Sequence, residues 1–455
     1  MSKSISTNPA TEEHIAEYER LTEHQLKTKL VAANEAFQSW KKTSYDERAK
    51  LMRKLSDIFE KNKNTYALLA TQEMGKTLEQ SVKEIEKCIW ICNYYADNTS
   101  KILEDTIVKT EASKSYVTYQ PLGVILAVMP WNFPFYQVVR FLIPTLMAGN
   151  VGVLKHASNV QGCAFALESA IKQAEFPDAV FTNLNIGSNA VEAVIKHDAV
   201  VAVTLTGSAP AGKAVAALAG KHLKKSVLEL GGSDPYIILE DADLDETTDI
   251  ATYGRLQNNG QTCIAAKRFI VLDEVYDDFI NAFTKKMKEA KMGSPKDSDT
   301  YYGPLARIDL RDELHEQVKK TIAQGGKLIL GGEIPERSGA YYPATILSEL
   351  KPGMEAFDEE LFGPVASVIR AKDEAEAIAL ANTSKFGLGA GVFTSNKTRG
   401  EKVALQLESG NCFVNKLVAS DPRLPFGGIK TSGYGRELAD NGIKEFVNTK
   451  TVWVN

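Results

Sequence analysis

Cys263 is the residue whose type and setting offer the most chemistry. It stands in QNNGQTCIAAKR, where Gly260 allows a tight turn and Thr262 precedes the thiol, ahead of an apolar, strand-like run beyond Ala266. A lone Cys is more often a small buried hydrophobe than a nucleophile, so its partners must decide. A nucleophilic thiol usually takes a base or cation beside it, most often His. The six histidines, His14, His24, His156, His197, His222 and His315, all lie outside Gly-rich turns of the catalytic kind, which weakens a Cys–His hydrolase. Glu229 is the alternative base, because SVLELGGSD sets it at the end of an apolar strand, before two glycines that let the chain turn sharply. Partial desolvation there raises a carboxyl pKa toward a value useful for taking a proton from water. Asn132, in PWNFPF, is bracketed by Trp131 and Phe133 between two prolines that fix the loop. An amide held so can aim its NH2 at a developing oxyanion, whereas a turn Asn simply bonds its own backbone.

TLTGSAPAGKAV is a Gly-rich turn between a strand-like and a helix-like run. It matches a phosphate loop from Gly207 to Lys213, but Ala214 follows where Mg²⁺ coordination needs a hydroxyl. A nucleotide-hydrolysing protein is therefore the distant alternative. The same turn can offer backbone N–H groups, a helix N-terminus and the Ser208 hydroxyl to a pyrophosphate.

These residues need a frame to hold them. From Leu21 to about Asn62 the chain is amphipathic at helical spacing, which predicts surface helices. After Val117, GVILAVMPWNFP, NVGVLKHAS, AVVAVTLTGS and SVLELGGSDPYIIL are short β-branched apolar runs, with helical stretches such as QGCAFALESAIKQAEF and PAGKAVAALAGKHL between them. Such alternation argues for an α/β fold with a parallel sheet covered on both faces. The pattern returns after Gly231, in AKRFIVL, VYDDFINAFTKKMKEA, PVASVIRAKDEAEAIALAN and GAGVFT, which predicts a second α/β domain and a cleft between the two. SKSYVTYQPL and TKTVWVN are strand-like segments suited to association.

The 455 residues, 44% hydrophobic and 24% charged, suffice for a sizeable core. A net charge of -5, with both signs mixed, gives no footprint for nucleic acid. No run of about eighteen apolar residues and no apolar leader occur, so neither a membrane span nor secretion is expected. Five cysteines without paired spacings argue against a disulfide framework and for the cytoplasm. Cys88 and Cys92 stand four apart but lack further ligands nearby, so they read as core and no metal is expected.

PWNFP, LKHAS, LTGSAPAG, LELGGSDP, NNGQTC, EELFGPV and PFGGIKTSGYGRE, in that order over nearly the whole chain, resemble the NAD(P)-dependent aldehyde dehydrogenase superfamily. Through MPWNFPFYQVVR, VLKHASN and ASDPRLPFGGIK the chain is most similar to its bacterial succinate-semialdehyde dehydrogenases. The resemblance implies two Rossmann-like parallel-sheet domains with a small β oligomerisation extension. It places the NAD(P)-binding domain at 1–102 and 120–230, the catalytic domain at 231–435, and oligomerisation segments at 103–119 and 436–455, in a homodimer or homotetramer.

For the chemistry, the resemblance implies that Cys263 attacks the aldehyde, that the Asn132 amide and the Cys263 N–H hold the oxyanion, and that Glu229 activates water against the thioester. Retention of Glu229 argues against acyl transfer to a thiol, and the single Cys of QTCIAA excludes a disulfide between neighbouring loop cysteines. Lys155 is expected at the adenosine ribose, Gly207 and Ser208 at the pyrophosphate, and Glu360 and Phe362 at the nicotinamide riboside, with Trp131 lining the crevice. Where many NAD-preferring members carry an acid, this chain has Ser158, which permits a 2′-phosphate, so NAD or NADP is expected. Arg140 matches the group that holds a distal carboxylate, and Ser420 a second substrate contact. Gln257 occupies a position where some relatives have another Arg. The expected reaction is succinate semialdehyde to succinate, with a broad-specificity aliphatic or aromatic aldehyde dehydrogenase as the alternative. Glu437 matches a carboxylate that supports proton transfer in some members.

Overall fold

A computed structural model describes residues 2–455, and its frame is two mainly parallel sheets. In the first, Phe181–Asn183, Val151–His156, Val124–Met129, Val200–Thr206 and Lys225–Glu229 lie side by side and parallel, and Gly433–Tyr434 adds an antiparallel edge. In the second, Thr345–Ser348, Val365–Ala371, Ala266–Leu272, Asp234–Ile238, Gly389–Phe393 and Asn411–Val414 run parallel, with Lys327–Leu330 antiparallel at one edge. The β-branched runs form central strands because both faces are covered: all seven residues of Ala266–Leu272 are buried, and all five of Asp234–Ile238.

The amphipathic stretches read from the sequence are the helices Glu23–Trp40 and Tyr45–Met74, each opened by a capping box, on Thr22 and Ser44 respectively. With the helix Leu78–Ile102 they join a hydrophobic cluster that runs through the first sheet and onto one face of the second. A smaller cluster fills the other face of the second sheet. Cys88 and Cys92, on Leu78–Ile102, are fully buried in the larger cluster.

The segments TKTVWVN and SKSYVTYQPL pair with one another: Val447–Val454 lies antiparallel to Lys114–Pro121, which also pairs with Thr106–Ile107. Gly433–Tyr434, which the sequence groups with 231–435, joins the first sheet instead, and its backbone explains why. At φ 117 Gly433 comes so near Leu228 that a Cβ would sit 2.0 Å from the carbonyl oxygen, so only glycine completes the pairing.

Parallel order sets the cleft. The carboxyl ends of the first sheet's strands deliver Pro130–Asn132, Thr206–Ser208 and Glu229–Gly231 to one edge, where open α/β sheets bind ligands. From the second sheet, the turns just before Ala266–Leu272 and Val365–Ala371 bring Cys263, Glu360 and Phe362 against that edge.

Candidate active site

The cysteine turn is built from strained backbone. Asn258, Asn259 and Gly260 follow one another with φ of 53, 58 and 74°, a left-handed run that Asn and Gly tolerate best. Side chains staple it down: Asn259 Nδ2 donates to Pro304 O at 2.7 Å, its Oδ1 accepts from Gly303 N–H at 2.7 Å, and Gln261 Oε1 accepts from Ala306 N–H at 3.0 Å. A Cβ on Gly260 would lie 2.3 Å from the Gly363 carbonyl carbon, so the loop carrying Glu360 and Phe362 packs directly on the cysteine turn.

Cys263 is partly exposed at the meeting point of two cavities. The first, of about 300 Å³, is lined by Trp131, Asn132, Gly207, Ser208, Glu229, Glu360 and Phe362. The second, of about 280 Å³, is lined by Arg140, Gln257, Ser420, Lys87, Tyr136 and Phe426. Burial pushes the thiol up to about 12, against the fields of Arg140 and Lys267. The resting group is a thiol.

Glu229, expected to be partly desolvated, is 2% exposed and neither carboxylate oxygen has a hydrogen-bond partner among the described residues. Burial first, and then the carboxylate of Glu437, raise its pKa well above the ordinary range, with Arg140 and Arg436 opposing. Its backbone oxygen accepts from Gly207 N–H at 2.9 Å, which ties the strand Lys225–Glu229 to the Gly-rich turn. Glu437 lines neither cavity; it lies buried with its Oε2 2.5 Å from Arg140 Nε. Arg140 is thus both a wall of the second cavity and half of a buried ion pair.

Asn132 is buried, its Nδ2 donates to Gln261 O at 3.0 Å, and its Oδ1 is unpartnered. One amide N–H therefore remains for a ligand. The loop is clamped from beneath: Lys76 Nζ donates to Asn132 O at 3.1 Å and pairs with Glu84, while Glu84 Oε1 accepts from the N–H groups of Phe135 and Tyr136 at 2.8 Å each.

The first cavity has features that suit a dinucleotide. Ser208 is the N-cap of Ala209–Lys221, yet its hydroxyl makes no capping bond, and the buried Thr206 Oγ1 is unpartnered. Glu360 Oε1 accepts from Gly232 N–H at 3.1 Å and lies 3.0 Å from Lys267 Nζ. Trp131 and Phe362 meet edge to face with ring centroids 5.8 Å apart. Lys155 and Ser158 line neither cavity; Lys155 stands near the carboxyl end of Val151–His156 and Ser158 opens the short turn Ser158–Val160 that follows it. Lys155 has no ion-pair partner among the described residues, and burial and nearby Arg20 hold its pKa down. A phosphate would suit that neighbourhood.

Sequence reasoning missed Lys76, Glu84, Lys87 and Lys267. Lys267 carries a signal, as a charge inside an apolar strand; it donates to Cys263 O at 2.6 Å and Thr262 O at 3.0 Å. The other three sit in or beside an amphipathic helix and carry none.

Comparison with known proteins agrees with this architecture. A profile of the Aldehyde dehydrogenase family matches residues 2–452. The chain is 46% identical over 450 residues to the NADP(+) succinate-semialdehyde dehydrogenase 1 of Mycobacterium bovis, with 98% of each chain covered. It is 45% identical over 450 residues to the NAD(P)+ succinate semialdehyde dehydrogenase of Escherichia coli, covering 99% of this chain and 97% of that one. The crystal structure of succinic semialdehyde dehydrogenase from Streptococcus pyogenes, in complex with NADP+ as the cofactor, superposes with a TM-score of 0.97 at 38% identity and 99% coverage of both chains. With the profile spanning nearly every residue and the thiol, carboxylate and amide gathered at one cleft, the chain belongs to the aldehyde dehydrogenase family.

Proposed function

We propose that this enzyme oxidises succinate semialdehyde to succinate with NAD+ or NADP+. The observation that carries the proposal is the position of Cys263 at the junction of two cavities, one suited to a dinucleotide and one bearing Arg140, Lys87 and Ser420.

Cys263 Sγ adds to the aldehyde carbon as its proton passes to ionised Glu229 and on to solvent, which leaves the thiohemiacetal oxygen as an oxyanion and Glu229 ionised again. Asn132 Nδ2 and the Cys263 N–H donate to the new oxyanion. When bound, NAD(P)+ supplies the acceptor for the hydride, held by Gly207, Ser208, Trp131, Glu360 and Phe362, with Lys155 and Ser158 toward its ribose. The resulting thioester at Cys263 is attacked by water, whose proton passes to Glu229. The carboxylic acid then leaves and the thiol is restored. Arg140, Ser420 and Gln257 hold the far end of the substrate, and Glu437 tunes Glu229 through Arg140.

The family membership and the relatives named for both cofactors support this reading. The exposed Ser158 offers no charge against a 2′-phosphate. Phe133, Ile264, Leu417 and Phe426 also line the second cavity, so uncharged aldehydes are expected as slower substrates. Residues 1–102 and 120–230, with the edge strand Gly433–Tyr434, form the cofactor domain, the rest of 231–435 the catalytic domain, and 103–119 with 436–455 the association segments of a homodimer or homotetramer. Five free thiols support the cytoplasm as its compartment.

Steady-state formation of NADH and NADPH across a panel of aldehydes is the test. Cys263→Ala is expected to lower the rate by about 10³-fold or more. No reduced cofactor with any aldehyde overturns the function; turnover that favours uncharged aldehydes overturns the substrate.

A further inference from the structure

The second cavity holds an ammonium group that the reaction as described leaves unassigned. Lys87 projects from the helix Leu78–Ile102, Arg140 from Tyr136–Met147 and Ser420 from the loop before Phe426, and all three line the space that opens on Cys263. Lys87 Nζ donates to Ser420 Oγ at 2.8 Å and lies 4.7 Å from the centre of the Tyr136 ring. Ser420 Oγ is also 2.7 Å from Tyr136 Oη, so the three form one polar cluster.

The other charges of the cavity wall each face an opposite charge, although Arg140 Nη2 keeps no hydrogen-bond partner among the described residues. Arg140 faces Glu437 at 2.5 Å, Lys83 faces Glu79 at 2.6 Å, and Glu84 is occupied by Lys76 and two backbone N–H groups. Asp421, the acid whose field reaches Lys87, is bound by Arg423 at 2.6 Å. Gln257 is polar but uncharged. Lys87 alone has no carboxylate within ion-pair distance among the described residues, although three ammonium donors are available and one is used. Burial, then Arg140, push its pKa down to about 8, the response of a cation lacking its anion.

We propose that Lys87 is a substrate-binding residue that, with Ser420 and Arg140, receives the distal carboxylate of an aldehyde acid, as the charge missing at Gln257. The inference rests on the proposed oxidation of a carboxylated aldehyde. A carboxylate beside Ser420 would meet an unpaired ammonium, an adaptable hydroxyl and the guanidinium. Since Arg140 is shared with Glu437, Lys87 supplies the net positive charge that balances the ligand. A neutral aldehyde would leave that ammonium unpaired, so discrimination follows from the penalty as well as the attraction.

The experiment compares kcat and KM of wild type, Lys87→Gln and Lys87→Arg on succinate semialdehyde and on butanal. Gln keeps a donor toward Ser420 and removes the charge, which spares the fold, and equal thermal midpoints check this. The ratio of kcat/KM for the acid over the neutral aldehyde is expected to fall about tenfold to hundredfold in Lys87→Gln, through KM rather than kcat, and to recover in part in Lys87→Arg. A wild type that prefers succinate semialdehyde, with the same ratio in Lys87→Gln, overturns the role of Lys87 alone. Wild type without that preference overturns the substrate reading and this inference together.

Discussion

Glu229 and Glu437 both lie in the field of Arg140, which is ion-paired to Glu437. Glu229 can take a proton only when ionised, and burial with the Glu437 charge moves that event above the ordinary carboxylate range. Steady-state turnover should therefore rise with pH along a limb displaced upward. Glu437→Gln removes the like charge that raises Glu229 and leaves the field of Arg140 uncompensated, so the limb should move to lower pH; an unmoved limb would detach Glu437 from Glu229. Glu229→Gln should give a first-turnover burst of reduced cofactor and then steady hydrolysis about 10²–10⁴-fold slower, read by rapid mixing. A full steady rate in that variant would assign the water to another base. The same raised pKa has a stability sign. The folded state holds the proton more tightly, so the contribution is present below the unfolded pKa and lost as pH rises. The melting point of Glu229→Gln should gain on wild type as pH increases.

The loop of Asn132 owes its rigidity to the helix beneath it as well as to its two prolines. Phe135, at the N-cap of Tyr136–Met147, makes no side-chain capping bond, and Glu84 on Leu78–Ile102 caps that helix from outside. Lys76 completes the clamp: it is fully buried, pairs with Glu84, and lies 4.1 Å from the centre of the Phe133 ring. Removing one member leaves a buried charge alone. Lys76→Met should cost about 3–5 kcal/mol of stability and lower kcat as the Asn132 carbonyl loses its anchor. A thermal midpoint and kcat within error of wild type would show that the clamp is dispensable. Apolar spacing was legible from Leu21 to about Asn62, but the burial partners of Leu78–Ile102 and Tyr136–Met147 were not. Periodicity marks the inner face of a helix without saying whether it meets a core, a loop or a tunnel.

Across the whole molecule, the cleft joins the carboxyl edge of one parallel sheet to turns feeding the strands of another, and each side lines it with polar side chains. The three-stranded sheet stands apart from this task. Its edge strand Val447–Val454 carries Trp453 at 46% exposure, and Ile107 on the opposite edge is 68% exposed. Open strand edges with exposed apolar side chains suit association. The double substitution Ile107→Glu with Trp453→Glu should reduce the mass measured by light scattering to that of a smaller assembly, and an unchanged mass would move the association surface elsewhere.

By itself, the sequence determined the α/β alternation, the Gly-rich turn, and the candidacy of Cys263, Glu229 and Asn132, because each depends on residues close together in the chain. The end of an apolar run, a Gly-Gly turn and a proline-bracketed Asn are local signals. Tertiary structure decided the rest: that Cys263 lies where two cavities meet, that Arg140 is paired with Glu437, and that Lys87 shares a wall with Ser420. Those relations join residues hundreds of positions apart, and their energies depend on burial and on which charges remain unpaired. Neither quantity exists until the chain has packed.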